Sequence, residues 1–145
     1  MADVFAIDSS CMIAAVCSWH EHHEAVADAI EECFERGEQL SIAGHALAEA
    51  YAVLTRLPTP YRLAPADAWA LIEANFVNAK RVVGLTGGLY QALLRTLVKT
   101  EIAGGRTYDA IIAECARRAG ARTLFTLNPR HFDPPPSGVT IVVPA

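Results

Sequence analysis

The clearest hydrophobic pattern in the chain is a short run without any polar residue, Val4-Phe5-Ala6-Ile7. Such a run is typical of a strand that is covered on both faces, as the central strands of parallel sheets are. Similar short runs predict four further strands, at residues 40–43, 81–83, 123–126 and 140–143. Between the strands, apolar residues recur at helical spacing and predict helices over residues 10–19, 22–34, 46–56, 65–76, 88–100 and 107–119.

This alternation of strands and helices predicts the fold class. Strands separated by helices form crossover units, which make the strands parallel and place helices on both faces of the sheet. A chain of 145 residues is the size of one domain. We therefore expect a single domain over residues 1–145, with a three-layer α/β/α architecture and a mostly parallel sheet of about five strands.

The composition favours a compact protein of the cytoplasm. Hydrophobic residues make up 52% of the chain and charged residues 19%, as in ordinary globular proteins. No apolar run approaches the roughly 20 residues of a membrane span, and the first residues lack the basic residues of a signal peptide. The four cysteines form no CxxC pair and lie in apolar helical patterns, so we expect buried free thiols in a reducing compartment.

Charge is unevenly distributed along the chain, although the formal net charge is only −4. Residues 1–50 hold ten acidic residues and one basic residue, whereas residues 51–145 hold six acidic and eleven basic residues. One part of the surface can therefore attract a polyanion. The candidates for contacts with a nucleic-acid backbone, with an ordinary solvated surface as the alternative, are Arg56, Arg62, Arg106 and Arg130.

Three acidic residues lie where parallel sheets bind ligands, outside the carboxyl ends of the strands. Asp8 follows the first strand and precedes two serines, Glu49 lies in the apolar helix after the second strand, and Asp109 lies at the start of the sixth helix. Each acid also has an ordinary interpretation. Asp8 or Ser9 can cap a helix, Glu49 can face solvent, and Asp109, behind a cap provided by Thr107, can interact with the helix dipole.

Taken together, the three acids indicate a metal site. If the carboxylates of Asp8, Glu49 and Asp109 converge, each like-charge pair about 4 Å apart costs on the order of 4 kcal/mol at an effective dielectric constant of about 20. A hard divalent cation removes this conflict, and ligation by oxygen alone favours Mg²⁺ or Mn²⁺ over zinc. Such an ion can activate water and neutralise charge on phosphorus oxygens, which is the chemistry of phosphodiester hydrolysis.

Four features follow one another along almost the whole chain. They are the apolar strand ending in Asp8-Ser9-Ser10, the acid Glu49 after the second strand, the segment Thr107-Tyr108-Asp109-Ala110-Ile111-Ile112-Ala113, and the Thr-x-Asn-x-x-x-Phe pattern of Thr126, Asn128 and Phe132. In this order they resemble a PIN-domain ribonuclease. The length of the chain is similar to that of the toxin in a VapBC toxin–antitoxin pair.

The resemblance implies a PIN-like fold and an endoribonuclease dependent on Mg²⁺ or Mn²⁺, which leaves 5′-phosphate and 3′-hydroxyl ends on a structured cellular RNA such as tRNA or rRNA. It implies a VapB-like antitoxin that blocks the site and, commonly, a homodimer. By the same resemblance the metal ligands are Asp8, Glu49 and Asp109, the fourth catalytic position is Asn128, and the supporting residues are Ser9, Ser10 and Thr126.

Asn128 departs from the usual pattern, which has an acid at this position. A neutral amide can orient a water molecule but adds no charge, so we expect one firmly held ion, with any second ion arriving with the substrate phosphate. Two alternatives remain open. One is a PIN-like module that binds RNA or a partner without cutting, and the other is a phosphatase with Asp8 as nucleophile, which Ser10 disfavours because a haloacid-dehalogenase-like motif has an acid there.

The remaining histidines and aromatic residues have ordinary interpretations. His45 and His131 are close in sequence to Glu49 and Asn128 and could contact phosphate or relay a proton, but we favour structural roles. Surface positions are expected for His20, His22 and His23. Core or interface positions, rather than base-stacking ones, are expected for Trp19, Trp69, Tyr51 and Phe76.

Overall fold

The chain folds around a five-stranded sheet whose middle strand is the apolar run near the N-terminus. The computed structural model describes residues 2–78 and 81–145, with strands β1 (Val4–Ile7), β2 (Gln39–Ala43), β3 (Arg81–Val83), β4 (Ala121–Phe125) and β5 (Thr140–Val142). Their order across the sheet is β3-β2-β1-β4-β5, and each neighbouring pair is parallel. The predicted parallel sheet is therefore confirmed.

Helices connect the strands and cover both faces of the sheet. They are α1 (Ser9–Val16), α2 (His23–Glu35), α3 (Gly44–Arg56), α4 (Pro65–Ile72), α5 (Gly87–Thr100) and α6 (Arg106–Arg118). α6 packs on β2 and β4 and also contacts α5, while α1 packs against α2 and α3. The predicted three-layer α/β/α arrangement is confirmed. None of the described helices is both long and apolar enough to cross a membrane.

Burial explains why β1 is the central strand. All four of its residues are buried, and Phe5 and Ile7 are almost completely inaccessible. Ile42 of β2, Ile112 of α6 and Leu124 of β4 are equally buried in the same core. Full burial of a side chain of this size contributes roughly 1.5–3 kcal/mol. The expected buried free thiols are also confirmed, at Cys11, Cys17, Cys33 and Cys115.

The first helix is shorter than predicted, which changes the surroundings of Trp19. α1 ends at Val16, and the chain then turns, with the N–H of His20 donating to the carbonyl of Cys17 at 2.9 Å. Trp19 therefore lies in a turn and is 47% exposed. Of the four aromatic residues expected in the core or an interface, Phe76 is buried and the other three are exposed, namely Trp19, Trp69 and Tyr51.

The sixth helix begins earlier than predicted, so the cap assigned to Thr107 is wrong. α6 starts at Arg106 and its N-cap is Gly105, which has no side chain that could accept a hydrogen bond. The first turn forms early because the N–H of Thr107 donates to the carbonyl of Gly104 at 3.0 Å. Asp109 still lies in the first turn of α6.

The topology brings the polar segments of interest to one edge of the sheet. β1 and β2 are parallel neighbours, so the residue after β1 and the helix α3 after β2 leave the sheet at the same edge. α6 leads back to the start of β4, so its first turn lies at the edge where β4 ends. Asp8, Glu49 and Asp109 therefore belong to the carboxyl edge, where open α/β sheets bind ligands.

Candidate active site

Asp8 is buried at the end of β1 and fixed by hydrogen bonds to both carboxylate oxygens. Its side chain accepts from the Ser10 hydroxyl at 2.6 Å and the Cys11 N–H at 3.0 Å through Oδ1, and from the Thr126 hydroxyl at 2.5 Å through Oδ2. Burial raises the pKa of Asp8, while the hydrogen bonds from Ser10, Thr126 and Cys11 oppose that rise. The position of this carboxylate is set before any ligand binds.

The residues that hold Asp8 are themselves held by the segment after β4. The N–H of Asn128 donates to the Thr126 hydroxyl at 2.9 Å, and the N–H of Leu127 donates to the Ser10 hydroxyl at 3.1 Å. Asp8 does cap α1, as its ordinary interpretation allows. The bond from Thr126 has no part in that cap, because it joins the ends of two neighbouring strands.

Glu49 is half-buried in α3 and lies beside His45, one helical turn earlier. His45 Nε2 and Glu49 Oε1 are 3.2 Å apart, but they are not aligned as a hydrogen bond. Within the described part of the chain, neither buried atom has a hydrogen-bond partner. Burial raises the pKa of Glu49; the charges of Asp109 and Asp8 raise it further, whereas that of His45 lowers it.

Asp109 is half-buried in the first turn of α6 and pairs with a histidine from a different element. His131, in the 3-10 turn Pro129–Phe132 after β4, places Nδ1 at 3.3 Å from Asp109 Oδ2. Burial raises the pKa of Asp109 and so does the charge of Asp8, while His131 and Arg106 lower it. The contact with His131 therefore offsets part of the repulsion that Asp109 meets at this site.

Asp8 thus acts on both helix acids across the sheet edge, but the three carboxylates do not form a closed ligand group. Asp8 raises the pKa of both Glu49 and Asp109, which requires the three charges to be near each other. Across residues 2–78 and 81–145, however, no three His, Cys, Asp or Glu side chains stand close enough to hold one metal ion. The structure confirms the shared edge, and the metal-ligand roles stay a prediction.

The other predicted polar residues line a cavity beside Asp8. This cavity has a volume of about 420 Å³, and its wall includes Ser9, Ser10 and Asn128 together with His20 and His22. Ser10 both lines the cavity and bonds to Asp8, so the cavity adjoins the carboxylate site directly.

The four predicted arginines differ in how close they are to the acids. The charge of Arg56, the last residue of α3, lowers the pKa of Glu49, and that of Arg106 lowers the pKa of Asp109. Arg62 donates from Nε to the carbonyl of Leu57 at 2.8 Å. Arg130 is exposed on the turn after β4. Arg56 and Arg106 are therefore the two arginines coupled to the site.

Two contacts of the site were not predicted from the sequence. His45 stacks on Tyr108 with ring centroids 4.9 Å apart and an angle of 11° between the planes, which connects α3 to α6. His131 pairs with Asp109, whereas the sequence places it only near Asn128. The four-residue spacing of His45 and Glu49 was a usable signal, because such residues are neighbours on a helix. No local pattern signals the contact of His45 with Tyr108 or that of His131 with Asp109.

Comparison with known proteins agrees with this architecture. Residues 5–134 match the family model described as PIN domain. The chain is 36% identical to Ribonuclease VapC40 of Mycobacterium tuberculosis over 121 residues, 83% of this chain and 84% of that protein. It is 36% identical to Ribonuclease VapC27 of the same organism over 146 residues, covering 100% of each chain.

A solved structure extends the comparison to the fold. The crystal structure of VapBC2 from Rickettsia felis, bound to a DNA fragment from its promoter, matches 97% of this chain and 98% of that chain with a TM-score of 0.68. The sequence identity is 16%, so this likeness shows a shared fold alone.

Proposed function

The chain belongs to the PIN-domain family, and on this premise we propose that it is an endoribonuclease dependent on Mg²⁺ or Mn²⁺. It hydrolyses phosphodiester bonds of a structured cellular RNA, tRNA or rRNA, in the cytoplasm. It acts as the toxin of a toxin–antitoxin pair and is blocked by a cognate VapB-like antitoxin. The names of its two ribonuclease relatives support the reaction, and the VapBC structure supports the class of partner.

One observation carries the proposal: Asp8, Glu49 and Asp109 share an edge of the sheet at which Asp8 raises the pKa of both helix acids and Asp109 raises the pKa of Glu49. A fold gains nothing from gathering three carboxylates that repel one another, because partly buried like charges are costly. Perturbed carboxylates gathered at the ligand-binding edge of an α/β sheet are a feature of functional sites.

The donor set fits a hard divalent cation. Glu49 Oε1 is buried without a hydrogen bond among the described residues, and the other two ligands would also be carboxylate oxygens, which suit Mg²⁺ or Mn²⁺. When bound, such an ion would lower the pKa of water and neutralise charge on the phosphate oxygens. Glu49 and Asp109 would exchange their pairs with His45 and His131 for this ion.

The chain's own residues have separate tasks in this proposal. Asp8 provides a ligand oxygen in a fixed position, because Ser10, Cys11 and Thr126 hold both of its oxygens. Arg56 and Arg106 bind the phosphates of the RNA, since their charges already reach the site. Asn128 would orient water through its amide without adding charge, so a single ion is held firmly and a second comes with the substrate.

The partner would bind in an apolar groove next to Asp109. A cavity of about 340 Å³ lies between α5, α6 and the segment after β4, lined by Leu93, Leu97, Ala113 and Phe132, and it reaches Asp109. An antitoxin segment in this groove would block the site from the side.

For self-association we propose the exposed stripe of α5, which consists of Tyr90, Leu94 and Val98, the last being 78% exposed. Light scattering on wild type and Leu94→Glu tests this, and a monomer in both would contradict it.

The deciding experiment is cleavage of total RNA by the purified chain with Mn²⁺. We expect cleavage that leaves 5′-phosphate and 3′-hydroxyl ends, that stops on chelation, and that Asp8→Asn abolishes. Asn keeps the shape of the side chain and can still accept from Ser10 and Cys11. The matched control is Asp28→Asn, the same change at an exposed position of α2, which should cleave like wild type.

Among the residues that the structure describes, no three His, Cys, Asp or Glu side chains stand ready to hold a metal, and this favours a second candidate, a PIN-like module that binds RNA or a partner without cutting it. The same assay separates the two functions. An RNA-binding chain that leaves RNA intact at every Mn²⁺ concentration supports the binding module and rejects the nuclease.

A further inference from the structure

Four aromatic rings on two neighbouring loops form a continuous row, which we call the aromatic row: Tyr61, Trp19, His20 and His22. The rings of Trp19 and Tyr61 have centroids 4.4 Å apart and planes 30° from parallel. The ring centroid of His20 lies 6.1 Å from that of Trp19, and the ring centroid of His22 lies 5.7 Å from that of His20. Trp19 is 47% exposed and Tyr61 45%. The two large rings therefore pack on each other while half of their surface stays open to solvent.

Backbone hydrogen bonds hold both loops in place. On the first loop, the N–H of His22 donates to Nδ1 of His20 at 3.0 Å, and Nδ1 of His23 bonds the carbonyl of Ala14 at 2.8 Å. On the second, the N–H of Tyr61 donates to the carbonyl of Pro58 at 2.9 Å. Loops held in this way have little backbone freedom to lose when a ligand packs on their rings, so a smaller entropic cost opposes its binding.

The row leads into the cavity of about 420 Å³ beside Asp8. His20 and His22 belong both to the row and to the cavity wall, which continues through Ser9 and Asn128 to Ser10, the hydrogen-bond partner of Asp8. Nδ1 of His20 accepts from the backbone, so the neutral ring carries its proton on Nε2 and is a donor. The cavity wall thus combines ring edges, hydroxyls and an amide.

We propose that the aromatic row and this cavity bind an unpaired nucleobase of the RNA next to the phosphate at Asp8, an inference that rests on the proposed function. Unstacked bases in single-stranded RNA are bound by stacking on aromatic side chains and by hydrogen bonds to their edges. The row supplies flat rings and the cavity supplies donors and acceptors. The groove between α5 and α6 has a mainly apolar lining, which includes Leu93, Leu97 and Ala113, and suits a peptide better.

Fluorescence of Trp19 tests the contact directly, because the chain has two tryptophans. Trp69→Phe leaves Trp19 as the sole tryptophan, and Trp19→Phe leaves Trp69, which is 44% exposed on α4 and so almost equally accessible. In an Asp8→Asn background, a short single-stranded RNA of mixed sequence is titrated into each. We expect saturable quenching of Trp19 and none of Trp69. An oligonucleotide of equal length and charge with abasic sites should quench neither.

Affinity gives a second, independent readout. Replacing Trp19 and Tyr61 together by alanine should weaken binding of the RNA on the order of tenfold, the loss expected for one stacked base, and leave the abasic oligonucleotide unaffected. The control Trp69→Ala should change neither affinity. Equal losses for both oligonucleotides would overturn the proposal, since they would show that the two rings do not act through a base.

The outcomes also separate this inference from the proposed function. Cleavage by wild type with no quenching of Trp19 rejects the base-binding site and keeps the nuclease. Quenching of Trp19 without any Mn²⁺-dependent cleavage keeps the base-binding site and rejects the nuclease. RNA could leave the fluorescence of Trp19 unchanged while the variant with alanine at both Trp19 and Tyr61 loses only self-association in light scattering. In that case the aromatic row is a protein interface and the proposal is overturned.

Discussion

The two sides of the carboxylate site are built in different ways. Asp8 is 3% exposed and receives three hydrogen bonds, one of them from Thr126, the residue directly after the neighbouring strand β4. Glu49 and Asp109 are half-buried on helices, and each is paired with a histidine at 3.2–3.3 Å. One acid is part of the core, whereas the other two belong to the surface that covers it.

This difference separates a fixed ligand from two adjustable ones. Asp8 cannot move without breaking buried hydrogen bonds, each worth roughly 1.5–3 kcal/mol when made to a charged group. Glu49 and Asp109 give up only partly exposed ion pairs, which contribute about 0–1 kcal/mol. A cation would therefore bind first where Asp8 already stands, and the two helix acids would adjust to it.

The largest expected effect comes from lengthening the acids by one methylene. Asp8→Glu should reduce the cleavage rate on the order of 10²-fold, because a shift of about 1 Å at a fixed ligand misplaces the reacting groups. Asp109→Glu, on the adjustable side, should reduce it only a few-fold. Initial rates with Mn²⁺ and an RNA substrate measure both. Equal losses would show that the two sides are equally rigid.

Metal binding should stabilise the folded chain. An ion that binds the folded state alone contributes about 2.7 kcal/mol at a concentration of 100 times its Kd, and Asp8→Asn should remove most of this gain. Thermal unfolding with and without Mn²⁺ gives the stabilisation, and calorimetric titration of the RNA-free chain gives the stoichiometry. We expect one tight site because Asn128 contributes no charge. Two equally tight ions would contradict this.

The hydroxyl of Thr126 should contribute strongly to stability. Thr126→Val keeps the shape of the side chain but removes the donor to Asp8 and the acceptor for the N–H of Asn128, so we expect a loss of roughly 1.5–3 kcal/mol in the free energy of unfolding. Thr55→Val is the matched control, because that hydroxyl bonds only within α3. Urea unfolding measures both, and equal small losses would argue against a fixed Asp8.

The smallest expected effect is on the pH dependence of stability in the absence of metal. The pKa values of Asp8, Glu49 and Asp109 are all raised by folding, mainly through burial. The folded chain thus binds more protons than the unfolded one, and stability falls as pH rises from the ordinary carboxyl range through the raised values. Urea unfolding at a series of pH values should show this fall, with a shallower slope in Asp8→Asn. A steeper slope in that variant would contradict the assignment that folding raises the pKa of Asp8.

The order of the elements and the edge that carries the acids were predictable from the sequence alone. Val4–Ile7 is apolar throughout, which is enough to identify a covered strand, and the alternation of strands and helices then requires parallel crossovers. The residue that follows such a strand must lie at its carboxyl end. Asp8 was therefore placed correctly without any knowledge of its partners.

Contacts between residues far apart in the chain depended on the three-dimensional packing. The hydroxyl of Thr126 reaches Asp8 across 118 residues, and the turn that carries His131 meets the first turn of α6 at Asp109. The apolar pattern continues past Val16 and predicts a helix through Trp19, yet the chain turns there and exposes the ring beside Tyr61. Hydrophobic periodicity reports how a segment faces the core, and it carries no information about which distant side chain lies opposite. The position of the acids thus follows from local pattern, while their hydrogen bonds and ion pairs, and hence their charge state, follow from packing.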